Sequence, residues 1–213
     1  MKVKAAVLRE SGKPLPYVNS LPLSIEEVEL DPPQSGEVLV QIKAAGLCHS
    51  DLVAIDGERA KPMPMVIGHE AAGIVCKLGP EVERLAVGDH VVPSYVASCG
   101  RCDMCQEGRP ALCHPATEAN KAGTLIDGTT RLHNNGQRIY HHSGVAAFSE
   151  YAVISQNALV KIDPKIPFEV AALFGCAVVT GVGSVVNTAK VSPGQSVAIV
   201  GLGGVGMNAL LAS

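Results

Sequence analysis

Apolar and polar residues alternate along several short stretches in the first half of the chain, and glycine or proline interrupts each stretch. Alternation with a period of two indicates strands whose two faces have different surroundings. The strands predicted in this way are Lys2–Leu8, Val38–Ala44, Gly73–Leu78 and Val91–Val92. Short strands that recur about every ten residues are typical of a small barrel or sandwich. We therefore expect a mostly β fold for this part of the chain.

The pattern becomes helical near residue 164, where Pro167 can open a helix. The residues spaced to form its buried face are Phe168, Ala171, Ala172 and Phe174. A second helix is predicted over Gly181–Ala189. The continuous apolar run Ser196–Val200 predicts a strand of the buried parallel type, and a further helix is predicted at Met207–Leu211. These elements predict α/β structure at this end of the chain.

The middle of the chain carries neither pattern. Residues 97–115 are rich in cysteine and contain little that could pack without a metal. Residues 117–142 are polar and are predicted to form a loop, in which His133, His141 and His142 are expected to be exposed.

Composition excludes several classes of protein. Of 213 residues, 47% are hydrophobic and 17% charged, which is typical of a folded domain. The net charge of −3, with 4 Tyr, 3 Phe and no Trp, predicts no nucleic-acid partner. No apolar run reaches the roughly 18 residues of a membrane helix, so no membrane association is predicted. The first residues lack the apolar stretch of a signal peptide, and we expect a soluble, cytoplasmic protein.

The chain has 7 cysteines, and an odd number at these spacings argues against a disulfide framework. Four of them follow the spacing Cys99-x2-Cys102-x2-Cys105-x7-Cys113. Four thiolates on tight turns can surround one Zn²⁺ in a closed tetrahedron. An iron–sulfur cluster also takes four cysteines and is the alternative. Either metal would stabilise a lobe that has little core of its own.

A second set of metal-binding residue types is spread along the chain. His69 lies in the segment Gly68-His69-Glu70, and Cys48 and Cys176 lie far from it. One histidine and two cysteines can hold Zn²⁺ with a fourth position open for chemistry. Asp51 and Glu70 are the carboxylates expected to orient the imidazole. A histidine with a purely structural role is the alternative for His69.

A glycine-rich segment follows the predicted strand at 196–200 and opens the last predicted helix. Its glycines are Gly201, Gly203, Gly204 and Gly206. Such a turn lets the backbone approach a pyrophosphate at a helix N-terminus. The segment therefore predicts dinucleotide binding, with a plain β–α turn as the alternative.

These three motifs, in this order, resemble the zinc-dependent medium-chain alcohol dehydrogenases. The resemblance implies a mostly β GroES-like catalytic domain at residues 1–176, with a structural zinc lobe at about 97–115, followed by the beginning of an α/β Rossmann domain at 177–213. It places the catalytic zinc on Cys48, His69 and Cys176, and the structural zinc on the other four cysteines named above. Two Zn²⁺ per chain and NAD are therefore implied, with NADP left open.

The resemblance also implies roles for single residues. Ser50 would accept the alcohol proton, and His49 would lie near the pyrophosphate as well as at the catalytic centre. Thr180 and Val205 would line the nicotinamide, and Tyr95 the substrate pocket.

Within the family, segment 117–142 resembles the animal-type and the glutathione-dependent formaldehyde dehydrogenases. The segments that carry this likeness are Gly123-Thr124, Asp127-Gly128-Thr129 and Phe148-Ser149-Glu150-Tyr151. Two features depart from the pattern. Val53 stands where the family often has a proton-relaying histidine. Residues 114–118 show no evident basic anchor for a glutathione adduct, which weakens that interpretation.

The resemblance implies an oxidoreductase that interconverts an alcohol and an aldehyde or ketone, and a homodimer or homotetramer when full-length. The chain stops at Ser213, before the acidic residue expected about 20 positions beyond the glycines. We therefore expect a fragment. The alternatives are a non-catalytic zinc-stabilised domain and a polyol or formaldehyde-adduct dehydrogenase of the same family.

Overall fold

The computed structural model describes residues 1–213. Its strands are β1 (Lys2–Leu8), β2 (Leu23–Leu30), β3 (Glu37–Gly46), β4 (Met65–Val66), β5 (Glu70–Leu78), β6 (His90–Pro93), β7 (Leu132–Asn134), β8 (Gln137–His141), β9 (Tyr151–Ser155) and β10 (Leu159–Lys161). Its α-helices are α1 (Tyr17–Ser20), α2 (His49–Asp56), α3 (Asp103–Gln106), α4 (His114–Ala122), α5 (Phe168–Ala172), α6 (Ala177–Gly183) and α7 (Gly204–Ala212). A π-helical segment, Ser184–Ala189, continues α6.

The strands form two sheets. One is a closed barrel in the order β1-β2-β7-β8-β4, and the other has the order β10-β6-β5-β3-β9. Alternation places Val3, Ala5 and Val7 of β1 in the core, while Lys2 and Lys4 are exposed. The predicted mostly β fold with a barrel is confirmed, and the predicted bounds of β1 are those of the structure.

A buried ion pair joins the two sheets. Arg131, just before β7, donates from Nε and Nη2 to the two carboxylate oxygens of Glu37 in β3, each at 2.8 Å. Nη2 also donates to Asp127 at 2.8 Å. Because both side chains of the central pair are less than a tenth exposed, this network fixes the barrel against the second sheet.

The prediction of a polar loop over residues 117–142 is wrong. The region contains most of α4 and the hairpin β7–β8, whose turn is formed by Asn135 and Gly136 at positive φ. His141, the last residue of β8, is fully buried, and His142 is 4% exposed because it packs against Asp51 and His69. His133 is half-buried, with Nε2 3.0 Å from Asp31. The expectation of exposed histidines therefore fails for this group.

The C-terminal part also differs from the prediction. The second predicted helix begins earlier, at Ala177. Phe174 is 46% exposed, although it was expected on the buried face with Ala171 and Ala172. Ser196–Val200 forms no strand, and Val200 is fully exposed. A parallel strand requires a neighbour for its backbone groups, and the structure places none beside this segment.

Helix length bears on membrane association. No single helix has the length and apolar composition of a membrane span, and the bent pair Phe168–Gly175 and Ala177–Ala189, at 51°, passes that test only when the two are taken together.

Candidate functional site

Three side chains distant in sequence meet at the end of the second sheet. Gly46, the last residue of β3, is paired with Glu70, the first residue of β5. Cys48 lies two residues after Gly46, and His69 lies one residue before Glu70. The strand register therefore brings the two side chains together. Cys176, at the start of α6, completes the group. We call Cys48, His69 and Cys176 the cavity site; their ligand atoms all lie within 4.8 Å of one another.

The cavity site has the dimensions and chemistry of a zinc centre. The sulfur atoms of Cys48 and Cys176 are 3.7 Å apart. Two sulfurs at tetrahedral Zn–S bonds of about 2.3 Å would lie about 3.8 Å apart. Two thiolates and one imidazole are ligands that zinc prefers, and three protein ligands leave a fourth position for substrate.

The buried carboxylate of Asp51 organises the cavity site. Its Oδ1 accepts hydrogen bonds from the backbone N–H of Gly68 at 3.1 Å, and from Nδ1 of His69 and of His142 at 3.2 and 2.9 Å. Its Oδ2 accepts from the backbone N–H of Cys48 at 3.1 Å. The histidine bonds assign the Nδ1–H tautomer to both rings. Nε2 of His69 is thus the ring atom that would bind a metal once its proton is displaced, as predicted for an orienting carboxylate.

The same contacts set the charges. Burial would raise the pKa of Asp51, but hydrogen bonds from His142 and His69 outweigh it and hold that pKa well below its usual range. Burial likewise opposes a charged His69, yet Asp51 and Cys176 outweigh it and raise its pKa to about 11. Burial raises the pKa of Cys48, but N–H donation from Ser50 and the charge of His69 lower it overall. The cavity site therefore attracts positive charge.

Glu70 has a different partner from the one expected. Its Oε2 accepts from the backbone N–H of Ala177 at 3.1 Å, and its side chain makes no hydrogen bond to His69. Gly175 packs so closely that an added Cβ would lie 2.8 Å from the carbonyl oxygen of Pro93. Glu70 thus holds the backbone just after Cys176, Pro93 packs against the backbone just before it, and burial raises the pKa of Glu70.

The cavity site opens into a cavity of about 360 Å³. Ser50, Tyr95, Thr180, Val205 and His49 all line it, so the structure gathers these predicted residues around one space. Val53 lines it too. Sequence reasoning gave no site role to five further lining residues, which are Ala54, Arg59, Lys61, His142 and Ser143. The only sequence signal of Arg59 and Lys61 was charge within a polar segment, which does not distinguish them from surface residues.

The other four cysteines also form a cluster. The sulfurs of Cys99, Cys102, Cys105 and Cys113, here called the four-cysteine cluster, lie within 4.8 Å of one another. The sulfurs of Cys102 and Cys105 are 3.5 Å apart, and backbone N–H groups of Cys99 and Cys102 point at Cys113 and Cys99, each at 3.3 Å. Four sulfurs leave no open position, which suits a structural metal.

The glycine-rich segment lies mostly outside the cavity. Gly201 has φ of +91°, and a Cβ at Gly206 would overlap the carbonyl oxygen of Gly201, so neither position accepts a larger residue without strain. Gly203 precedes α7 and has open space around its missing Cβ. Gly204, by contrast, lies against Ala177. Of this segment, only Val205 lines the cavity.

Comparison with known proteins identifies the family. Residues 34–165 match the model of the alcohol dehydrogenase GroES-like domain. The chain therefore belongs to the zinc-dependent medium-chain alcohol dehydrogenase family, as the sequence resemblance predicted.

Individual relatives are consistent with this. An S-(hydroxymethyl)glutathione dehydrogenase from Synechocystis sp. is 46% identical over 97% of this chain and 54% of its own length. The alcohol dehydrogenase zinc-binding domain protein of Burkholderia ambifaria has TM-score 0.90 and 39% identity, over 100% of this chain and 55% of its own. Benzyl alcohol dehydrogenase of Acinetobacter calcoaceticus has TM-score 0.88 and 35% identity, with the same coverage. The chain spans about half the length of these relatives.

Proposed function

We propose that the protein to which this chain belongs is a zinc-dependent dehydrogenase that interconverts an alcohol and an aldehyde or ketone with NAD. The observation that carries the proposal is the cavity site: three zinc-type donors within 4.8 Å of one another, open to a cavity of about 360 Å³. Cavities of this size suit small organic ligands. We assign the four-cysteine cluster to a second, structural zinc, giving two per chain.

Ser50, Asp51 and Glu70 would each have a separate role in the reaction. Bound zinc would polarise the substrate oxygen, and a bound nicotinamide would accept the hydride that leaves the carbinol carbon. Ser50, on the cavity wall, would accept the hydroxyl proton by hydrogen bond. Asp51 would hold His69 in its ligating tautomer, and Glu70 would fix the backbone beside Cys176. Val53, in the same wall, has no group that could carry the proton onward from Ser50.

The cofactor and the assembly extend the same proposal. We assign residues 1–176 to the catalytic domain and 177–213 to the beginning of a nucleotide-binding domain. The close packing of Gly206 on Gly201 supports a pyrophosphate turn. Thr180, Val205 and His49 would then face the cofactor, because they line the same cavity as the cavity site. The family resemblance favours NAD and a homodimer or homotetramer.

Two substrate classes are supported by different relatives. A structural neighbour with TM-score 0.88 is named a benzyl alcohol dehydrogenase. A relative with 46% identity is named an S-(hydroxymethyl)glutathione dehydrogenase, which makes a formaldehyde adduct the second candidate. Comparing oxidation of benzyl alcohol and of S-(hydroxymethyl)glutathione by the intact protein distinguishes them.

The decisive test is a pair of cysteine substitutions in the intact protein. Cys48→Ser should remove one of two zinc equivalents and abolish alcohol oxidation. Cys76→Ser is the matched control, because Cys76 is a free, half-buried cysteine in β5 that belongs to neither metal cluster. Elemental analysis and an NADH-coupled assay measure both effects. Full activity in Cys48→Ser would overturn the proposal; two zinc equivalents without saturable NADH binding would favour a non-catalytic zinc-stabilised domain.

A further inference from the structure

One wall of the cavity is formed by a strained turn that follows β8. The turn runs from His142 to Ala146, and Ser143 and Ala146 both have φ of +55°. This left-handed region is unfavourable for residues other than glycine, and an alanine side chain has no polar atom with which to offset the cost. Tertiary contacts therefore impose the conformation, in which both His142 and Ser143 line the cavity.

The turn is held to the segment that ends at His69. The backbone N–H groups of residues 147 and 148 donate to the carbonyl oxygens of Gly68 and Ile67, each at 2.9 Å. The rings of His69 and His142 stand edge to face with their centroids 5.0 Å apart. A substrate whose reacting oxygen is bound at the cavity site would therefore have its neighbouring atoms beside His142.

The turn carries two polar atoms that have no partner in the protein. Nδ1 of His142 is occupied by Asp51, whereas Nε2 of the same ring makes no hydrogen bond. Oγ of Ser143 likewise makes none. Neither atom is among the unpartnered polar atoms that are sealed from solvent. Because His142 is only 4% exposed and lines the cavity, the space that its Nε2 reaches is the cavity.

The surroundings of these two atoms favour a neutral polar group. The buried carboxylate of Asp51, on the other edge of the ring, disfavours an anion beside Nε2, and Arg59 and Lys61 in the same cavity disfavour a cation. An apolar group would leave a largely buried polar atom without a partner. A hydroxyl is neutral and can donate to one of the two atoms while it accepts from the other. It therefore fits both atoms at once.

We propose that Nε2 of His142 and Oγ of Ser143 form a subsite for a second hydroxyl group of the substrate. The reacting oxygen lies at the cavity site, and the second hydroxyl lies at the turn. His142 is then a specificity-determining residue, because it contacts a group of the substrate that does not react. This inference rests on the proposed function and names its substrate class as alcohols that carry a second hydroxyl.

The test compares benzyl alcohol with its 2-, 3- and 4-hydroxy derivatives, which place the second hydroxyl at three increasing distances from the reacting oxygen. In the intact protein, His142→Phe should lower the ratio of kcat/KM for the best hydroxylated substrate to that for benzyl alcohol about 5- to 20-fold, because one hydrogen bond is lost. The lost bond to Asp51 affects all four substrates alike and cancels in the ratio. Ser143→Ala should give a smaller drop.

His133→Phe is the matched control. His133 does not line the cavity and is bonded to Asp31, so this variant should leave the ratio within about twofold. Should His142→Phe not fold, Ser143→Ala and the binding measurement on the wild type decide.

The binding measurement does not depend on turnover. In nitrogen NMR spectra of the intact, zinc-loaded wild type without nucleotide, the Nε2 resonance of His142 should shift with at least one hydroxylated alcohol and not with benzyl alcohol. A substrate ratio unchanged for all three derivatives, or an equal shift with benzyl alcohol, would overturn the subsite. If the wild type oxidises none of the four alcohols but shows the selective shift, the proposed function fails and the subsite stands.

Discussion

Nδ1 of His142 lies 2.9 Å from Oδ1 of Asp51, closer than Nδ1 of His69 lies to the same oxygen. The two imidazole rings stand edge to face, with centroids 5.0 Å apart. A single carboxylate oxygen therefore orients two histidines, of which one is a zinc-type donor and the other lines the cavity. A change at Asp51 would therefore alter both the cavity wall at His142 and the orientation of the metal donor His69.

Asp51→Asn should weaken zinc binding at the cavity site about 10- to 100-fold, because the variant loses the negative charge that fixes the tautomer of His69. Zinc in the four-cysteine cluster should be unaffected, since that cluster does not contact Asp51. Competition with a chromophoric chelator measures both affinities. Asp56→Asn, in the same helix, is the control; equal affinities in the two variants would contradict the prediction.

After metal removal, the thiols of the four-cysteine cluster should differ in their reactivity. N–H donation from Arg101 and Cys102 lowers the pKa of Cys99 to about 6, whereas burial and its neighbour Cys102 raise the pKa of Cys105 to about 11. After chelation at neutral pH, iodoacetamide should therefore label Cys99 well before Cys105, because the thiolate is the nucleophile. Peptide mapping by mass spectrometry follows both sites. Equal labelling rates would show that the backbone donors are lost with the metal.

The buried ion pair between the sheets should contribute more to the free energy of unfolding than an ion pair on the surface does. Arg131→Met leaves Glu37 buried without its partner and should cost about 3–5 kcal/mol in the free energy of unfolding. Lys2→Met removes the exposed pair with Glu27, at 2.7 Å, and should cost at most about 1 kcal/mol. Chemical denaturation of both variants measures the difference. Similar losses of unfolding free energy in the two variants would mean that water takes the place of Arg131 beside Glu37.

Two glycines of the same turn should respond differently to alanine. Gly206→Ala places a methyl group against the carbonyl oxygen of Gly201 and should both lower the melting temperature and weaken NADH binding. Gly203→Ala meets open space and should change the melting temperature little. Differential scanning fluorimetry and NADH fluorescence test the pair. A melting temperature unchanged in Gly206→Ala would show that the turn relaxes.

The four-cysteine cluster could be predicted from sequence because its ligands lie close together, where spacing alone brings the sulfurs into reach. The cavity site could not be derived in this way, because Cys48 and Cys176 are 128 residues apart and only the family resemblance linked them. His142 was misassigned because its burial depends on contacts with Asp51 and His69, which are distant in sequence. The strand predicted at 196–200 failed because periodicity predicts local shape and cannot supply a neighbouring strand.

The hydrogen bond from Ala177 to Glu70 and the tight packing of Gly175 on Pro93 have a mechanical consequence. Both contacts hold the chain at Cys176 to β5 and β6, while α6 only begins at the next residue. The third metal donor therefore moves with the sheet. If α6 turned relative to the barrel, it would pivot beyond Ala177, so the cavity could change its width while the three donors keep their mutual spacing.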